Sequence, residues 1–210
     1  MSTATVRFLQ QENHRLAEEN ATLREENQAL RHYVSSLKEL HWATQEIVSE
    51  ENLFSLLDKI LHSAMVVVGA EDGSLLLLDE ETNELVFVLV HGDIRHELRG
   101  YRIPADAGIA GWMVNHREPL IINNPAQDWR FSHQVDTTFG FSTRSLIGFP
   151  LIARDKIIGV IELLNKRDSE EFTETDLTLL SILGQSAATS LDEMQNRFEI
   201  EEAQGEAVQA

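Results

Sequence analysis

The sequence predicts an α+β protein with an antiparallel β-sheet, preceded by a long helix that forms a coiled coil. Leucine recurs every seven residues near the N-terminus, which is typical of a coiled coil. The rest of the chain reads as helix, two strands, short helix, strand, loop, two strands and long helix. Strands that are joined by short turns pair antiparallel, so this order indicates an antiparallel sheet with helices on its faces.

The N-terminal helix carries a second period besides that of its leucines. An asparagine stands three residues before each of three leucines. Leucine at position d with asparagine at position a favours a coiled coil of two parallel helices. A buried asparagine pairs with the same asparagine of the partner helix, and this is possible in one register only. The residues that set this register are Leu9, Leu16, Leu23, Leu30 and Leu37 with Asn13, Asn20 and Asn27.

We therefore predict a parallel homodimer. Glu19 and Glu26 occupy g positions and face Arg24 and Arg31 at the e positions of the partner helix. A single amphipathic helix packed on its own domain would not need the asparagine period. A DNA-binding zipper needs a basic region upstream, and only Arg7 is there.

Each element of the globular part has its own local signal. An apolar stripe at helical spacing begins at Leu53, and Gly69 is its predicted stop. Two apolar runs on either side of a polar turn predict a hairpin. The predicted strands and later elements are Ser74–Asp79, Glu84–His91, a short helix near Ile109–Asn115, a strand at Pro119–Asn124, an irregular segment Asp128–Arg144, strands Ser145–Ala153 and Lys156–Leu164, and a helix from Glu174 toward Glu201.

These elements predict how the domain is layered. The terminal helices cover one face of the sheet, and the short helix with residues 128–144 covers the other. A cover made of loop and short helix often hides a pocket. We place the coiled coil at residues 1–48, the globular domain at 49–196, and a helix end with a frayed tail at 197–210.

Composition excludes several classes of function. The chain has no cysteine, so it has no disulfide, thiolate metal site or cysteine nucleophile. Its net charge of −18 disfavours nucleic acid as a partner. With no signal sequence and no apolar run of spanning length, we expect a cytoplasmic protein without a membrane partner. Lone histidines are more often surface or core residues than ligands, so we predict no metal site.

Four stretches carry a resemblance to a known family. They are EDGS at Glu71–Ser74, RIPADAGIAG at Arg102–Gly111, GFSTRSL at Gly140–Leu146 and GVIELLNK at Gly159–Lys166. Together they resemble the GAF domain, above all the GAF domains of cyclic-nucleotide phosphodiesterases, over Leu53–Met194. The resemblance implies a non-catalytic regulatory domain with a small-molecule pocket, dimerisation through terminal helices and a separate output partner.

The resemblance also implies ligand positions. In cyclic-nucleotide-binding members the ligand contacts a serine on the first strand and the backbone of the Gly-Ile-Ala-Gly turn. It also contacts an aspartate and a threonine of the cover and a glutamate on a later strand. The matching residues are Ser74, Ile109, Ala110, Asp136, Thr143 and Glu162.

Four ligand positions depart from the family's residue types. Val90 stands where an aromatic ring stacks on the purine, and His91 where an acidic residue follows it. Ser132 replaces a tyrosine and Phe139 a threonine of the cover. The lost stacking costs about 1–3 kcal/mol unless Phe139 or Phe131 substitutes. A cyclic nucleotide is therefore a candidate ligand, and we assign no cofactor.

The residues at the start of the last helix have two interpretations, and the two are compatible. Lys166 and Asp176 match a family pair that forms a salt bridge supporting the pocket. Thr173 is also a good N-cap, with Asp176 as its capping-box partner. For the whole chain, the alternative to a sensor is a structural adaptor dimer whose pocket is collapsed by Phe139 and other side chains.

Overall fold

The computed structural model describes residues 7, 10–24, 27, 34, 35, 38, 52–92, 95–167 and 170–209, with the backbone alone for 95, 96 and 198–209. The chain divides into two units, Met1–Lys38 and Glu39–Ala210. In the first unit, residues 10–24 form helix α1. Of the predicted heptad, Leu9, Leu30 and Leu37 lie outside the described residues.

The second unit is built on a six-stranded antiparallel sheet. The strand order is β3-β2-β1-β6-β5-β4, and every neighbouring pair is antiparallel. The strands are β1 (Ala70–Asp79), β2 (Glu84–His91), β3 (Arg102–Pro104), β4 (Leu120–Ile122), β5 (Leu146–Ala153) and β6 (Lys156–Lys166). The helices are α2 (Leu53–Val68), α3 (Arg95–Leu98), α4 (Gly108–His116), α5 (Gln134–Phe139) and α6 (Glu174–Gln209), with a 3-10 turn at Pro125–Gln127.

Helices α2 and α6 pack on one face of the sheet. Helix α2 is capped at its start by Asn52, whose side chain accepts a hydrogen bond from Ser55 N at 3.1 Å. It ends at Gly69, whose φ of 73° lies in the left-handed region that glycine adopts without strain. The buried residues of this layer include Leu56, Leu61, Leu75, Ile161, Leu163, Leu180, Leu183 and Leu191.

The opposite face carries a second apolar cluster. Alternation along β1 and β6 divides their residues between the two layers, so Leu75 and Ile161 face α2 and α6 while Leu76 and Val160 face away. The second cluster is completed from α4 and β2, by Met113 and other buried residues. Ser74 and Glu162 alternate in the same way and fall on this second face.

The fold confirms the predicted α+β class and antiparallel sheet, with four corrections. The first strand begins at Ala70 rather than Ser74, because its pairing with β6 continues to Lys166. Strand β3 and helix α3 were not predicted, since three or four residues carry no measurable periodicity. Residues 128–144 are not wholly irregular, because they contain α5. Helix α6 runs to Gln209, past the predicted end near Glu201.

Candidate functional site

A cavity lies between the second face of the sheet and the segment that covers it. Its walls come from β1, β2 and β6, from the start of α4, and from α5 with its flanking loops. The predicted ligand positions that line this cavity are Ser74, Val90, His91, Ile109, Ala110, Ser132, Asp136, Thr143 and Glu162.

Ser74 is the most informative residue of the wall. It is 2% exposed, and within the described part of the chain its Oγ is a buried side-chain oxygen without a hydrogen-bond partner. Leaving such a group unsatisfied costs about 1–3 kcal/mol. An orphaned hydroxyl that faces a cavity is therefore a group that a ligand or a water molecule would satisfy.

Glu162 stands directly beside Ser74. The two residues are register partners across β1 and β6, and both line the cavity. Glu162 keeps partial accessibility, which on this face means access from the cavity. Burial raises the pKa of its carboxyl group to about 7, because removal from water penalises the charged form. In the sequence, a glutamate in the middle of an otherwise apolar strand is the feature that could indicate this site residue.

Arg102 also lines the cavity, and it was not among the predicted site residues. Its guanidinium donates to Glu84 Oε2 at 2.6 Å, to Thr82 Oγ1 at 2.6 Å and to the Asp79 carboxylate. Those hydrogen bonds from Arg102 lower the pKa of both Asp79 and Glu84. The cation is thus already engaged by protein acceptors at the β1–β2 turn.

His91 connects the cavity wall to helix α2. Its Nε2 lies 3.1 Å from Asp58 Oδ1, and Asp58 is part of α2. The His62 ring, also from α2, lies edge-on with its centroid 6.3 Å from that of His91. His91 was among the predicted site residues, whereas its partner Asp58 was not.

Helix α5 is part of the cover, and residues of its first turn make polar contacts with the segments around it. Asp136 accepts from Thr143 N and from Thr143 Oγ1, each at 2.9 Å. Gln134 Nε2 donates to the Tyr101 hydroxyl at 3.3 Å. None of the residues of α5 is fully buried. The predicted positions Asp136 and Thr143 therefore bond to each other across the cover.

The aromatic side chains of the wall differ from the prediction. Phe139 is not among the lining residues; its ring packs edge to face on Tyr101, with 5.2 Å between centroids. The phenylalanines that line the cavity are Phe87, Phe131 and Phe141. Phe131 was named as a substitute for the missing stacking residue, and it does lie on the cavity wall.

The first turn of α4 supplies backbone groups. The first amides of a helix have no intrahelical acceptors, and the N-cap residue here, Ala107, has no side-chain acceptor to offer them. Ile109 and Ala110, both buried, line the cavity from this turn. A Cβ on Gly111 would lie 2.4 Å from the carbonyl carbon of Asp106, so the turn before α4 requires glycine there.

Lys166 and Asp176 lie outside the cavity lining, and they form both the predicted salt bridge and the predicted helix cap. Lys166 Nζ contacts Asp176 Oδ1 at 2.8 Å, and both side chains are about nine-tenths buried. The other oxygen, Oδ2, accepts from Thr173 N at 2.8 Å and from Thr173 Oγ1 at 3.0 Å. One carboxylate therefore makes the salt bridge and the helix cap, while support of the pocket stays a prediction.

Two further searches of the described residues concern metals and membranes. No three His, Cys, Asp or Glu side chains in this part of the chain are grouped to hold a metal ion. None of the described helices combines the length and the apolar character needed to cross a bilayer.

Comparison with known proteins identifies a family. Residues 50–192 match the family described as GAF domain. The chain is 31% identical over 127 residues to a probable 3',5'-cyclic phosphodiesterase, pde-5, of Caenorhabditis elegans, covering 56% of this chain and 17% of that protein. It is 32% identical over 148 residues to the dual 3',5'-cyclic-AMP and -GMP phosphodiesterase 11A of Takifugu rubripes, covering 66% of this chain and 16% of that protein. The match therefore spans less than a fifth of either relative.

Among solved structures, the GAF domain of a phosphoenolpyruvate-protein phosphotransferase from Coxiella burnetii superposes with a TM-score of 0.72. It is 20% identical, and the alignment covers 80% of this chain and 98% of that domain. At this identity the likeness concerns the fold, and it agrees with the six-stranded antiparallel sheet.

Proposed function

Because this chain belongs to the GAF domain family, we propose that it is a non-catalytic, homodimeric sensor of a small molecule that regulates a separate output protein. GAF domains are regulatory domains of signalling proteins. The ligand would bind between the sheet and residues 128–144. The observation that carries this proposal is the orphaned Ser74 hydroxyl beside Glu162 on the cavity wall.

The cavity wall has the properties of a binding site rather than of a packing defect. Empty cavities inside proteins are normally apolar, whereas this wall holds a buried hydroxyl and a carboxyl group. Burying these groups stabilises the folded chain less than burying apolar side chains would. A ligand that donates to Glu162 and bonds Ser74 would recover that loss, which favours a sensor.

A cyclic nucleotide is the ligand that the relatives suggest first. Their names describe cyclic phosphodiesterases, and the position of the stacking ring holds Val90 here. Phe131 or Phe141 would have to stack on the base instead. Calorimetric titration with cyclic AMP and cyclic GMP tests this ligand, and the absence of heat at high micromolar concentration would exclude it.

The homodimer in this proposal is a parallel coiled coil of the N-terminal helices. Leu16 and Leu23 are 43% and 56% exposed on the single chain, as expected for d positions without their partner. Two such chains in register would bury both leucines and pair Asn13 and Asn20 with their equals.

The proposed signal route leads from the cavity into the terminal helices. His91 of the wall bonds Asp58 of α2, and Lys166 joins the end of α2 to Asp176 of α6. A ligand that engages His91 would change the first of these contacts, and the coiled coil would pass a rotation onward. This requires two states that the ligand binds unequally.

Cross-linking tests this route. The chain has no cysteine, so single cysteines introduced along residues 30–45 give no background. The sensor proposal expects that saturating ligand changes which positions cross-link between the two chains. An unchanged pattern would contradict the route without contradicting ligand binding.

The second candidate function is a structural adaptor dimer, whose cavity binds nothing. A thermal-shift screen discriminates the two. Ligand at about 100 times its dissociation constant stabilises the folded state by about 2.7 kcal/mol, which is easily seen. If no nucleotide, amino acid or aromatic metabolite shifts the unfolding temperature, the adaptor function is favoured.

A further inference from the structure

We propose that the cavity selects an aromatic cation: a flat ring with a protonated amidine-like group whose N–H donors meet Glu162 and Ser74. This inference rests on the proposed sensor function and names the chemical class of its ligand.

Two polar groups of the wall make no hydrogen bond to the described residues of the protein. Ser74 Oγ is buried without a partner. Burial raises the pKa of its register partner Glu162, and among the described residues no neighbouring charge or hydrogen bond contributes to that rise. These adjacent groups are one hydroxyl and one carboxyl group, and above its pKa of about 7 the carboxyl group is a carboxylate, which can only accept hydrogen bonds. The complementary ligand group is therefore a donor.

The other polar side chains of the wall are already engaged. Arg102 donates to Asp79, Glu84 and Thr82. Asp136 accepts from Thr143, Gln134 donates to Tyr101, and His91 bonds Asp58. A ligand that used these groups would first have to break contacts within the protein, so Ser74 and Glu162 are the groups at which binding costs least.

The charges of the wall favour a cation over an anion. Asp72, Asp136 and Glu162 line the cavity, and the guanidinium that lines it, Arg102, is neutralised by two carboxylates of its own. An anionic ligand would be desolvated among these acidic groups, at a cost. The first turn of α4 is the feature of the wall that favours anions. A test of the proposal must therefore include an anionic probe.

The apolar part of the wall indicates a flat ring. The phenylalanines Phe87, Phe131 and Phe141 line the cavity together with Leu146 and Leu164. Aromatic side chains stack on planar ligands, and their faces attract cations within about 6 Å. An aromatic cation meets both requirements with one molecule.

Three probes of the same shape and different charge test the proposal. Benzamidine is a cation, benzamide is neutral and benzoate is an anion, and each is titrated calorimetrically into the full chain at pH 7.5. A fragment of this size is expected to bind at about 0.1–1 mM. We expect benzamidine to bind at least about tenfold more tightly than benzoate, as one charge-assisted hydrogen bond would produce.

Variants then assign the effect to Glu162. Glu162→Gln keeps the shape of the side chain and removes its charge. We expect this variant to bind benzamidine about tenfold or more weakly than the unmodified chain does. Ser74→Ala should weaken it by a smaller factor. The matched control is Glu81→Gln, an exposed residue of the β1–β2 turn that does not line the cavity, and it should leave benzamidine binding unchanged.

The outcomes separate this inference from the function on which it rests. If benzoate, benzamide or a cyclic nucleotide binds as tightly as benzamidine, the cation inference is overturned while the sensor function stands. Unchanged benzamidine affinity in a folded Glu162→Gln variant also overturns it. If these probes and the wider screen all give no binding, both proposals fail.

Discussion

The Lys166 ammonium group lies 2.8 Å from Asp176 Oδ1 and 2.7 Å from the carbonyl oxygen of Val68. One side chain from the end of β6 therefore ties the last turn of α2 to the first turn of α6. Because both partners of the ion pair are about nine-tenths buried, water cannot replace either of them. We therefore expect this contact to stabilise the packing of the two terminal helices on the sheet.

Replacing Lys166 by methionine should strongly destabilise the domain. The substitution keeps much of the side-chain volume but leaves the Asp176 carboxylate buried without its cation. Breaking a buried ion pair on one side costs about 3–5 kcal/mol, and urea unfolding at pH 7 measures the loss.

The matched control for this prediction is Lys156→Met. Lys156 pairs with Glu80 at 3.3 Å, but both side chains are about half exposed. An exposed pair contributes about 0–1 kcal/mol, so this variant should unfold nearly as the unmodified chain does. Equal losses in the two variants would show that the Lys166 contact does not hold the helices.

The stability of the domain should fall as pH rises from about 4.5 to 7 through Glu162. Its pKa in the folded state, about 7, is higher than in the unfolded chain, so the folded state holds a proton that the unfolded state has lost. Proton uptake on folding means that stability decreases with pH over this window and levels off above it. The decrease is on the order of 2–3 kcal/mol.

Glu162→Gln should remove that dependence. The amide has no proton to lose, so we expect the variant to exceed the unmodified chain in stability at pH 8 and to match it near pH 4.5. Denaturant unfolding at both pH values, with Glu81→Gln as the exposed control, measures the difference. A variant that is equally stable or less stable at pH 8 would show that the Glu162 carboxyl group is not held at a raised pKa.

The fold could be predicted because its larger elements carry local signals. The apolar stripe of α2 follows the helical period, and β1 and β6 are indicated by short apolar runs next to polar turns. Helix α5 could not be found this way, because it is six residues long and its apolar side chains Val135 and Phe139 form a single i, i+4 pair, too short to show a helical period. Strand β3 exists only through its pairing with β2, which is a long-range contact.

The site could be predicted only in part, and that part did not come from local sequence signals. The positions from Ser74 to Glu162 came from a family resemblance rather than from any local pattern. Arg102 was missed because its importance depends on Asp79 and Glu84, which approach it only when β2 pairs with its neighbours. The contact between His91 and Asp58 likewise joins residues that are far apart in the chain.

Asn20→Leu should strengthen the proposed coiled coil and loosen its register. A leucine at this a position buries apolar surface where the amide pair stands now, and it also permits other registers and strand numbers. We expect sedimentation equilibrium to give a dimer for the unmodified chain and some larger species for the variant. Gln11→Leu, at an exposed f position, is the control and should remain a dimer; a monomeric unmodified chain at micromolar concentration would contradict the homodimer.

Thermal unfolding of the full chain with and without small molecules tests the central claim most directly. The unmodified chain is compared with Ser74→Ala, which removes the orphaned hydroxyl, and with Ser186→Ala on α6, which does not line the cavity. A sensor predicts at least one compound that raises the unfolding temperature of the unmodified chain and of Ser186→Ala by several degrees, and of Ser74→Ala by less. No shift with any nucleotide, amino acid or aromatic cation at millimolar concentration, or equal shifts in all three proteins, would contradict it.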